Sequence, residues 1–261
     1  TRMTRILTCF SILLAFGQMM AQSLQLAPPQ TPNTRLLAKA GQIITFDFRM
    51  TGAEIRYTTD GSEPTSASPI YTRPLATDGL QYVKAKAFKL GFAPSATTTV
   101  QLVKPGGISI DSVAISQAPK KYVANGWKTL CDGILGDENF NENWLGFEAK
   151  AIEAKVFFDK KTRVSQISVG YLQQQGSWIF GPAQMLVYDG KGRLLGSRII
   201  ADAALEQAPA QAAISVTLPK GKHKALTIKL LALPTIPDWH PGKGNTGWLF
   251  LDEIMAYPAA R

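Results

Sequence analysis

Apolar and polar residues alternate with a period of two along much of the chain, most clearly at Ala154/Val156/Phe158, Ile167/Val169/Tyr171, Ile214/Val216/Leu218 and Leu226/Ile228/Leu230. Because successive side chains of a strand point to opposite faces, this period predicts strands with one buried face. Residues 189–192, Asp-Gly-Lys-Gly, separate two such stretches and predict a hairpin turn. Residues 248–251 are apolar on both faces and predict a buried strand. Many short strands separated by turns predict an all-β fold, a sandwich or a jelly roll.

Proline and glycine divide this β-rich chain into two parts. Residues 104–107, Lys-Pro-Gly-Gly, predict a linker between a domain at 36–103 and a domain at 108–258. The proline-rich residues 22–35 predict an extended, poorly packed lead-in. Residues 201–213 are rich in Ala and Gln, and the pattern leaves a short helix and a loop equally open.

The first domain contains a strand-and-turn motif without catalytic chemistry. Residues 55–59 alternate as a half-buried strand does. Asp60 and Gly61 predict a positive-φ turn that reverses the chain, and Pro64, which cannot donate to a ladder, should lie outside the central pairing. Residues 55–75, IRYTTDGSEPTSASPIYTRPL, continue into residues 83–95, VKAKAFKLGFAPS.

These two segments resemble the small Ig-like β-sandwich appended to bacterial β-N-acetylhexosaminidases and chitobiases, over residues 36–103. The second domain resembles a discoidin-like (galactose-binding-like) jelly roll, the version at the C-terminus of Bacteroidetes hexosaminidases. That resemblance is carried by Leu-Cys-Asp-Gly at 130–133, Asn-Trp at 143–144, Ser-Trp-Ile-Phe-Gly-Pro at 177–182 and Gly-Trp-Leu-Phe-Leu-Asp-Glu-Ile at 247–254. Together they imply the accessory region of a family 20 hexosaminidase without its catalytic barrel.

The N-terminus has the layout of a secretory signal peptide. Arg2 and Arg5 precede a short apolar run, and small residues follow up to Ala21. We therefore predict a signal peptide at 1–21 and a secreted, periplasmic or cell-surface protein without a membrane span. Removing it leaves Cys131 as the sole cysteine, so no intramolecular disulfide can form.

The formal net charge of +9 raises the question of an anionic partner. The lysines are scattered along strand-like segments and do not cluster with aromatic residues. We therefore expect no nucleic-acid partner, and we interpret the charge as a soluble surface far from neutrality. We also expect the protein to be a monomer.

Two adjacent Asp-Glu pairs, at 137–138 and at 252–253, resemble the catalytic pair of family 20 glycoside hydrolases. The histidine and barrel strand expected before such a pair are absent, and a (β/α)₈ barrel needs about 250 residues of alternating strand and helix. His223 and His240 accompany neither a nucleophile elbow nor a zinc signature. The sequence therefore predicts a protein that is not an enzyme.

The acidic residues offer a second interpretation, a structural calcium ion. Asp132, Asp137 and Asn139 supply oxygen ligands within one loop, as Ca²⁺ prefers. The discoidin resemblance implies a calcium under this loop, with Glu253 of the last strand as a further ligand. Turn and capping chemistry explains the same residues equally well, so both alternatives stay open.

The aromatic residues indicate the function. A sugar presents apolar C–H faces that stack on an indole, and its hydroxyls need polar partners. Trp239 and His240 lie in a proline-rich loop, and Trp127 lies near Tyr122 in another, so these four are the predicted ligand-binding residues. Three further tryptophans beside strands are assigned to the core: Trp144, Trp178 and Trp248.

The sequence thus predicts a secreted, non-catalytic carbohydrate-binding protein of the accessory-module type. Its ligand would be a complex glycan, with amino-sugar glycans among the candidates. The alternative is a structural or adhesive cell-envelope protein without a sugar site. A glycoside hydrolase fragment is the least favoured interpretation.

Overall fold

The structure is a computed structural model that describes residues 24–259, and these residues form two β-sandwiches. The predicted all-β fold is confirmed. In the part of the chain that the structure describes, helical conformation is confined to 3₁₀ turns, and no helix has the length and apolarity needed to cross a membrane. The predicted signal peptide at 1–21 lies outside the described residues.

The first sandwich packs a four-stranded sheet against a two-stranded ribbon. The sheet has the order β1-β6-β5-β3, in which β1 runs parallel to β6 and the other pairs are antiparallel. The core contains Val83 and Ala85 of one layer and Ile44 of the other. The strands are β1 (Arg35–Leu37), β2 (Ile43–Ile44), β3 (Glu54–Thr58), β4 (Leu75–Ala76), β5 (Tyr82–Phe88) and β6 (Thr98–Val103).

The motif at residues 55–65 forms the predicted strand and turn but not a tight hairpin. Gly61 has φ 85°, the left-handed conformation that glycine adopts without strain. The chain returns to the outer edge of β3, where Tyr57 N–H donates to Pro69 O (3.0 Å) and Tyr71 N–H donates to Ile55 O (2.8 Å). This return segment covers an edge that would otherwise be open to another strand.

The lead-in is extended, but the prediction that it packs poorly is wrong for the residues described. Leu26 and Pro29 are buried against the first sandwich. Leu26 N–H donates to Ala93 O (3.0 Å), and the backbones of Gln30 and Asp47 exchange two hydrogen bonds of 2.8 Å. The segment behaves as an additional strand because its backbone groups find partners on the sandwich.

The second sandwich is a jelly roll of two facing antiparallel sheets, with orders β13-β10-β15-β8 and β12-β11-β14-β9-β7. Its core is built from the alternating residues that the sequence singles out, including Val156, Ile214 and Ile228. The strands are β7 (Ser112–Ile115), β8 (Leu145–Phe147), β9 (Ala151–Arg163), β10 (Gln166–Gln173), β11 (Gln184–Asp189), β12 (Leu194–Ile199), β13 (Ala210–Thr217), β14 (Lys222–Leu231) and β15 (Leu249–Tyr257).

Two further segments of this sandwich have sequence predictions, the turn at 189–192 and the stretch 201–213. The hairpin turn predicted at 189–192 joins β11 to β12, which pair antiparallel. In the stretch 201–213, turns occupy residues 201–205, and β13 begins at Ala210. Residues 201–213, whose composition is compatible with a short helix or a loop, therefore form a loop followed by a strand.

The two sandwiches share backbone hydrogen bonds. The outer edge of β1 pairs with residues 133–135 of the second domain: Leu37 N–H donates to Gly133 O (2.8 Å) and Leu135 N–H donates to Arg35 O (3.0 Å). The first sheet thus gains a fifth strand-like segment from the other domain.

The connection at 104–107, where the sequence predicts a linker, is packed against the second sandwich. A Cβ on Gly106 would lie 2.5 Å from Ala256 O. Ile108 N–H donates to the same oxygen (3.1 Å). The tether therefore lies directly against β15, which adds to the contact between the two domains.

Candidate functional site

A surface pocket of about 420 Å³ lies at one end of the second sandwich. Three loops that are distant in sequence form it, those joining β10 to β11, β12 to β13 and β14 to β15. Such concave sites with aromatic and polar walls are where proteins bind small ligands. The residues that shape it are Gln175, Trp178, Glu206, Gln207, Trp239 and His240.

Trp239 supplies one wall, at the position that the sequence predicts for a ligand-binding aromatic. Its side chain is 41% exposed, although indoles in folded proteins are mostly buried. The indole Nε1–H donates to Ala204 O of the β12–β13 loop (2.8 Å). This bond between two loops holds the ring in place while a large part of it stays accessible.

Trp178 supplies a second wall, and its assignment to the core is wrong. It is 40% exposed and follows the 3₁₀ turn Gln175–Ser177 with φ 64°. A non-glycine residue in this left-handed region is costly, and such strain tends to occur at functional sites. The backbone holds it on both sides, because Trp178 N–H donates to Gln175 O and Trp248 N–H donates to Trp178 O, each at 2.8 Å. A Cβ on Gly242 would lie 2.9 Å from the Trp178 ring, so glycine makes room for the indole there.

His240 lies between the two indoles and is only 6% exposed. The centroid of its ring is 6.3 Å from that of Trp178 and 5.4 Å from that of Trp239. Gly242 N–H donates to Nδ1 (2.9 Å), so Nε2 carries the proton and donates to Gln175 O (2.9 Å). Both ring nitrogens therefore serve the protein backbone. His240, predicted as a ligand-binding residue, orients the two tryptophans and leaves no nitrogen free for a ligand.

Two glutamines that the sequence interpretation missed tie the loops together. Gln207 N–H donates to Gln175 Oε1 (2.8 Å), and Gln175 Nε2 donates to Leu205 O (2.9 Å). Gln207 Nε2 donates to Asp202 O (2.7 Å). The Ala- and Gln-rich composition of residues 201–213 was the available signal for Gln207, but it does not indicate which backbone group its amide would meet.

Trp127 and Tyr122, the other predicted ligand-binding pair, are not among the residues that line the pocket. Tyr122 packs into an aromatic cluster, with ring centroids 4.7 Å from Phe250 and 5.3 Å from Trp248. Trp127 lies in the 3₁₀ turn Gly126–Leu130 and is 40% exposed. The structure thus separates Trp239 and His240 from this second pair.

The acidic pair at 252–253 holds a loop in place. Between β10 and β15 the register shifts, so that Asp252 and Glu253 together oppose Gly170. A β-bulge of this kind re-aims side chains, and here both carboxyls reach the same loop. Asp252 Oδ2 accepts from Gly136 N–H (3.0 Å), and Glu253 Oε2 accepts from Gly133 N–H (2.9 Å).

Burial dominates the ionisation of these two groups. It raises the pKa of Asp252 to about 6 and the pKa of Glu253 to about 8, because a charged carboxylate loses its hydration there. The backbone donors and the Lys39 ammonium oppose this shift only in part for Glu253. Burial likewise raises the pKa of the Cys131 thiol to about 11, so the thiolate is disfavoured at neutral pH.

The other acidic pair also stabilises a loop. Asp137 Oδ2 accepts from the Thr34 hydroxyl across the domain junction (2.6 Å), and Oδ1 accepts from Asn139 N–H (2.9 Å). Glu138 is exposed beside it. These contacts are those of a turn that caps its own backbone.

The predicted calcium ligands accept hydrogen bonds from the backbone. Within residues 24–259, no group of three or more His, Cys, Asp or Glu residues is placed to hold a metal ion. Asp132 Oδ1 accepts from Ile134 N–H (2.9 Å), and Asp137 and Glu253 accept the bonds given above. Asn139 Oδ1 accepts from Asn141 N–H (3.2 Å). These oxygens accept hydrogen bonds from backbone amides, and calcium binding stays a prediction from the sequence.

Chelation tests that prediction directly. A cation beside Glu253 would favour its ionised form and stabilise the folded state by mass action. If calcium is bound at this site, EGTA should lower the melting temperature of the wild type in differential scanning calorimetry. It should not lower that of Glu253→Gln. An equal melting temperature with and without EGTA would contradict it.

Comparison with known families concerns the first sandwich. Residues 37–99 match the chitobiase/beta-hexosaminidase C-terminal domain family. The resemblance that residues 55–75 and 83–95 indicate is therefore confirmed. No curated protein matches the chain.

Solved structures similar to the chain align over 58 to 60% of its length. One is the CBM32 of AlyQ in complex with 4,5-unsaturated mannuronic acid, at 11% identity and TM-score 0.35, with 98% of that chain covered. A mutant lectin binding domain of lectinolysin complexed with Lewis b has 10% identity, TM-score 0.41 and 98% coverage. Reduced XRCC1 bound to the DNA pol beta catalytic domain has 11% identity, TM-score 0.37 and 99% coverage. At these identities no functional residue is carried over, and the site has to be interpreted from this chain's own residues.

Proposed function

We propose that the protein is a carbohydrate-binding accessory protein and that the pocket between Trp178 and Trp239 is its binding site. The observation that carries the proposal is the pair of partly exposed indoles, each fixed by backbone hydrogen bonds, at the edge of one pocket. A pyranose ring stacks its apolar C–H face on such an indole while polar groups around the rim bind its hydroxyls.

The rigidity of the pocket supports this proposal. A weak ligand is bound more tightly when the site does not have to order itself first, because less side-chain entropy is lost on binding. The three pocket loops are cross-linked through Gln175, Gln207 and Trp239, so the indoles are ordered before any ligand arrives. The chain maintains this exposed aromatic arrangement although it buries Trp144 to 1% exposure elsewhere in the same sandwich.

The position of the pocket supports an accessory role. The pocket lies at the end of the sandwich where β15 begins, whereas the connection from the first domain packs on Ala256 near the end of that strand. The first domain would therefore act as a spacer. It would hold the pocket at a distance from whatever is bound to the far side of the first domain. Secretion, the absence of catalysis and a complex glycan as ligand belong to this proposal. A single shallow site binds weakly, so avidity from several copies or linked modules would matter.

A glycan array tests the proposed function. We expect binding by the wild type and a loss of affinity of about tenfold or more in both Trp178→Ala and Trp239→Ala, because each removes a stacking surface. Trp127→Ala is the matched control, since Trp127 is equally exposed but lies outside the pocket. Melting temperatures close to the wild type would show that the variants are folded.

Two results would contradict the proposed site. Binding that survives in both pocket variants would show that the site lies elsewhere. Binding lost only in Trp127→Ala would show the same. No binding across a broad array would favour the alternative, a structural or adhesive protein without a sugar site.

A further inference from the structure

We propose that Glu206 makes the pocket selective for sugars that carry a free, protonated amino group and disfavours acidic sugars. This inference rests on the proposed function, because it names the substrate class of the same site. It follows from which polar groups of the pocket are already used by the protein and which are left for a ligand.

Most polar side-chain atoms of the pocket are committed to the protein itself. Both ends of the Gln175 amide, the Trp239 indole N–H and both His240 nitrogens bond to backbone groups. The Gln207 amide nitrogen is engaged in the same way. These atoms position the loops, and breaking one of these bonds would leave a backbone group unpaired. The second N–H of each glutamine amide and the second lone pair of Gln175 Oε1 are not used by these bonds.

Among the described residues, three polar side-chain groups of the pocket have no protein partner at all. In the described part of the chain, the Glu206 carboxylate accepts no hydrogen bond and forms no ion pair, and Gln207 Oε1 and the Trp178 indole N–H likewise have no protein partner. Two of these groups are acceptors, one of them a full negative charge, and one is a donor. The one formal charge among these groups is therefore negative, and it is available to a cationic donor.

The charge of Glu206 decides which donor-rich sugar gains most. A hydrogen bond from an ammonium to a carboxylate is charge-assisted and about twice as strong as one between neutral groups. The carboxylate or sulfate of an acidic sugar would instead be repelled. Asp202 and Asp238 carry the same sign on two of the pocket loops, and Lys243 carries the opposite sign on one of them. The pocket loops are thus net acidic on a chain whose formal charge is +9.

Isothermal titration with three oligosaccharides of equal length tests the proposal: oligoglucosamine, its N-acetylated form and an oligouronate. At mildly acidic pH, where the sugar amine is protonated, we expect oligoglucosamine to bind most tightly and the oligouronate most weakly. Glu206→Gln should weaken oligoglucosamine binding by about tenfold and the N-acetylated form by much less. Salt should reduce the difference between the two, because the charge lies near the surface. Glu138→Gln, another exposed glutamate outside the pocket, is the control.

The outcomes separate this inference from the proposed function. If the N-acetylated oligosaccharide binds through Trp178 and Trp239 but oligoglucosamine binds no more tightly, the selectivity is wrong and the binding site stands. The same holds if Glu206→Gln leaves the preference unchanged. If none of the three sugars binds and the glycan array is also negative, the proposed function fails and the selectivity fails with it.

Discussion

Replacing Trp144 by alanine is expected to lower the free energy of unfolding of the second domain by about 3–5 kcal/mol, the range for a buried Trp cut back to Ala. Trp144 is 1% exposed, and its indole Nε1–H donates to Asp137 O (3.0 Å). A Cβ on Gly136 would lie 1.9 Å from the ring, so the loop is shaped around this indole. Its removal leaves a large cavity and an unpaired backbone carbonyl.

The effect should reach the domain junction. Trp144 packs under the loop that contains Gly133 and Leu135, and these two residues hydrogen-bond to β1 of the first domain. We therefore expect Trp144→Ala to increase proteolytic cleavage near residues 104–107, because the backbone pairing between the two domains is weakened.

Urea denaturation followed by far-UV circular dichroism measures the stability change. Trp127→Ala is the matched control, because Trp127 is 40% exposed and its removal should cost clearly less stability than Trp144→Ala. A loss in Trp144→Ala no larger than that of the control would contradict the assigned packing.

The second large effect concerns pH. The folded state raises the pKa of Glu253 from 4.5 to about 8 and that of Asp252 from 3.8 to about 6. At pH values between the unfolded and the folded pKa of each carboxyl group, the folded protein binds more protons than the unfolded chain does. The stabilising contribution of both groups is therefore complete below their unfolded pKa values and is lost as pH rises through the folded values.

We therefore expect stability to fall as pH rises from about 4.5 to about 8, with Glu253 contributing at most about 1.4 kcal/mol per pH unit. Glu253→Gln should remove most of this slope, because the amide oxygen can still accept from Gly133 N–H but never becomes charged. The variant should thus be more stable than the wild type at the alkaline end of the range.

Urea denaturation at several pH values in the presence of EGTA gives the slope for each protein, free of any contribution from calcium. Glu138→Gln is the control, since Glu138 is an exposed acid of the neighbouring loop and should leave the slope unchanged. Parallel pH profiles for the wild type and Glu253→Gln would show that Glu253 is not a buried, protonated group.

Much of the fold follows from the pattern of apolar and polar residues along the chain. The period-two alternation at residues such as Val156 and Ile228 predicts which face of each strand is buried, because apolar burial and strand geometry leave one choice. The turn at Gly61 follows from local backbone preference, and Trp239 could be placed on a loop from its proline-rich neighbours. Such properties depend on a residue and its near neighbours, so the pattern carries them.

The geometry of the pocket, in contrast, depends on tertiary contacts. Trp178 is accessible because its own left-handed backbone conformation, directly after a 3₁₀ turn, changes the direction of its side chain. No periodicity in the sequence indicates this. His240 and Gln175 are committed to backbone groups that other loops supply. Trp239 is held by Ala204 from a different loop. The position of each of these side chains depends on contacts between segments far apart in sequence, so the pocket exists only once the sandwich has brought its loops together.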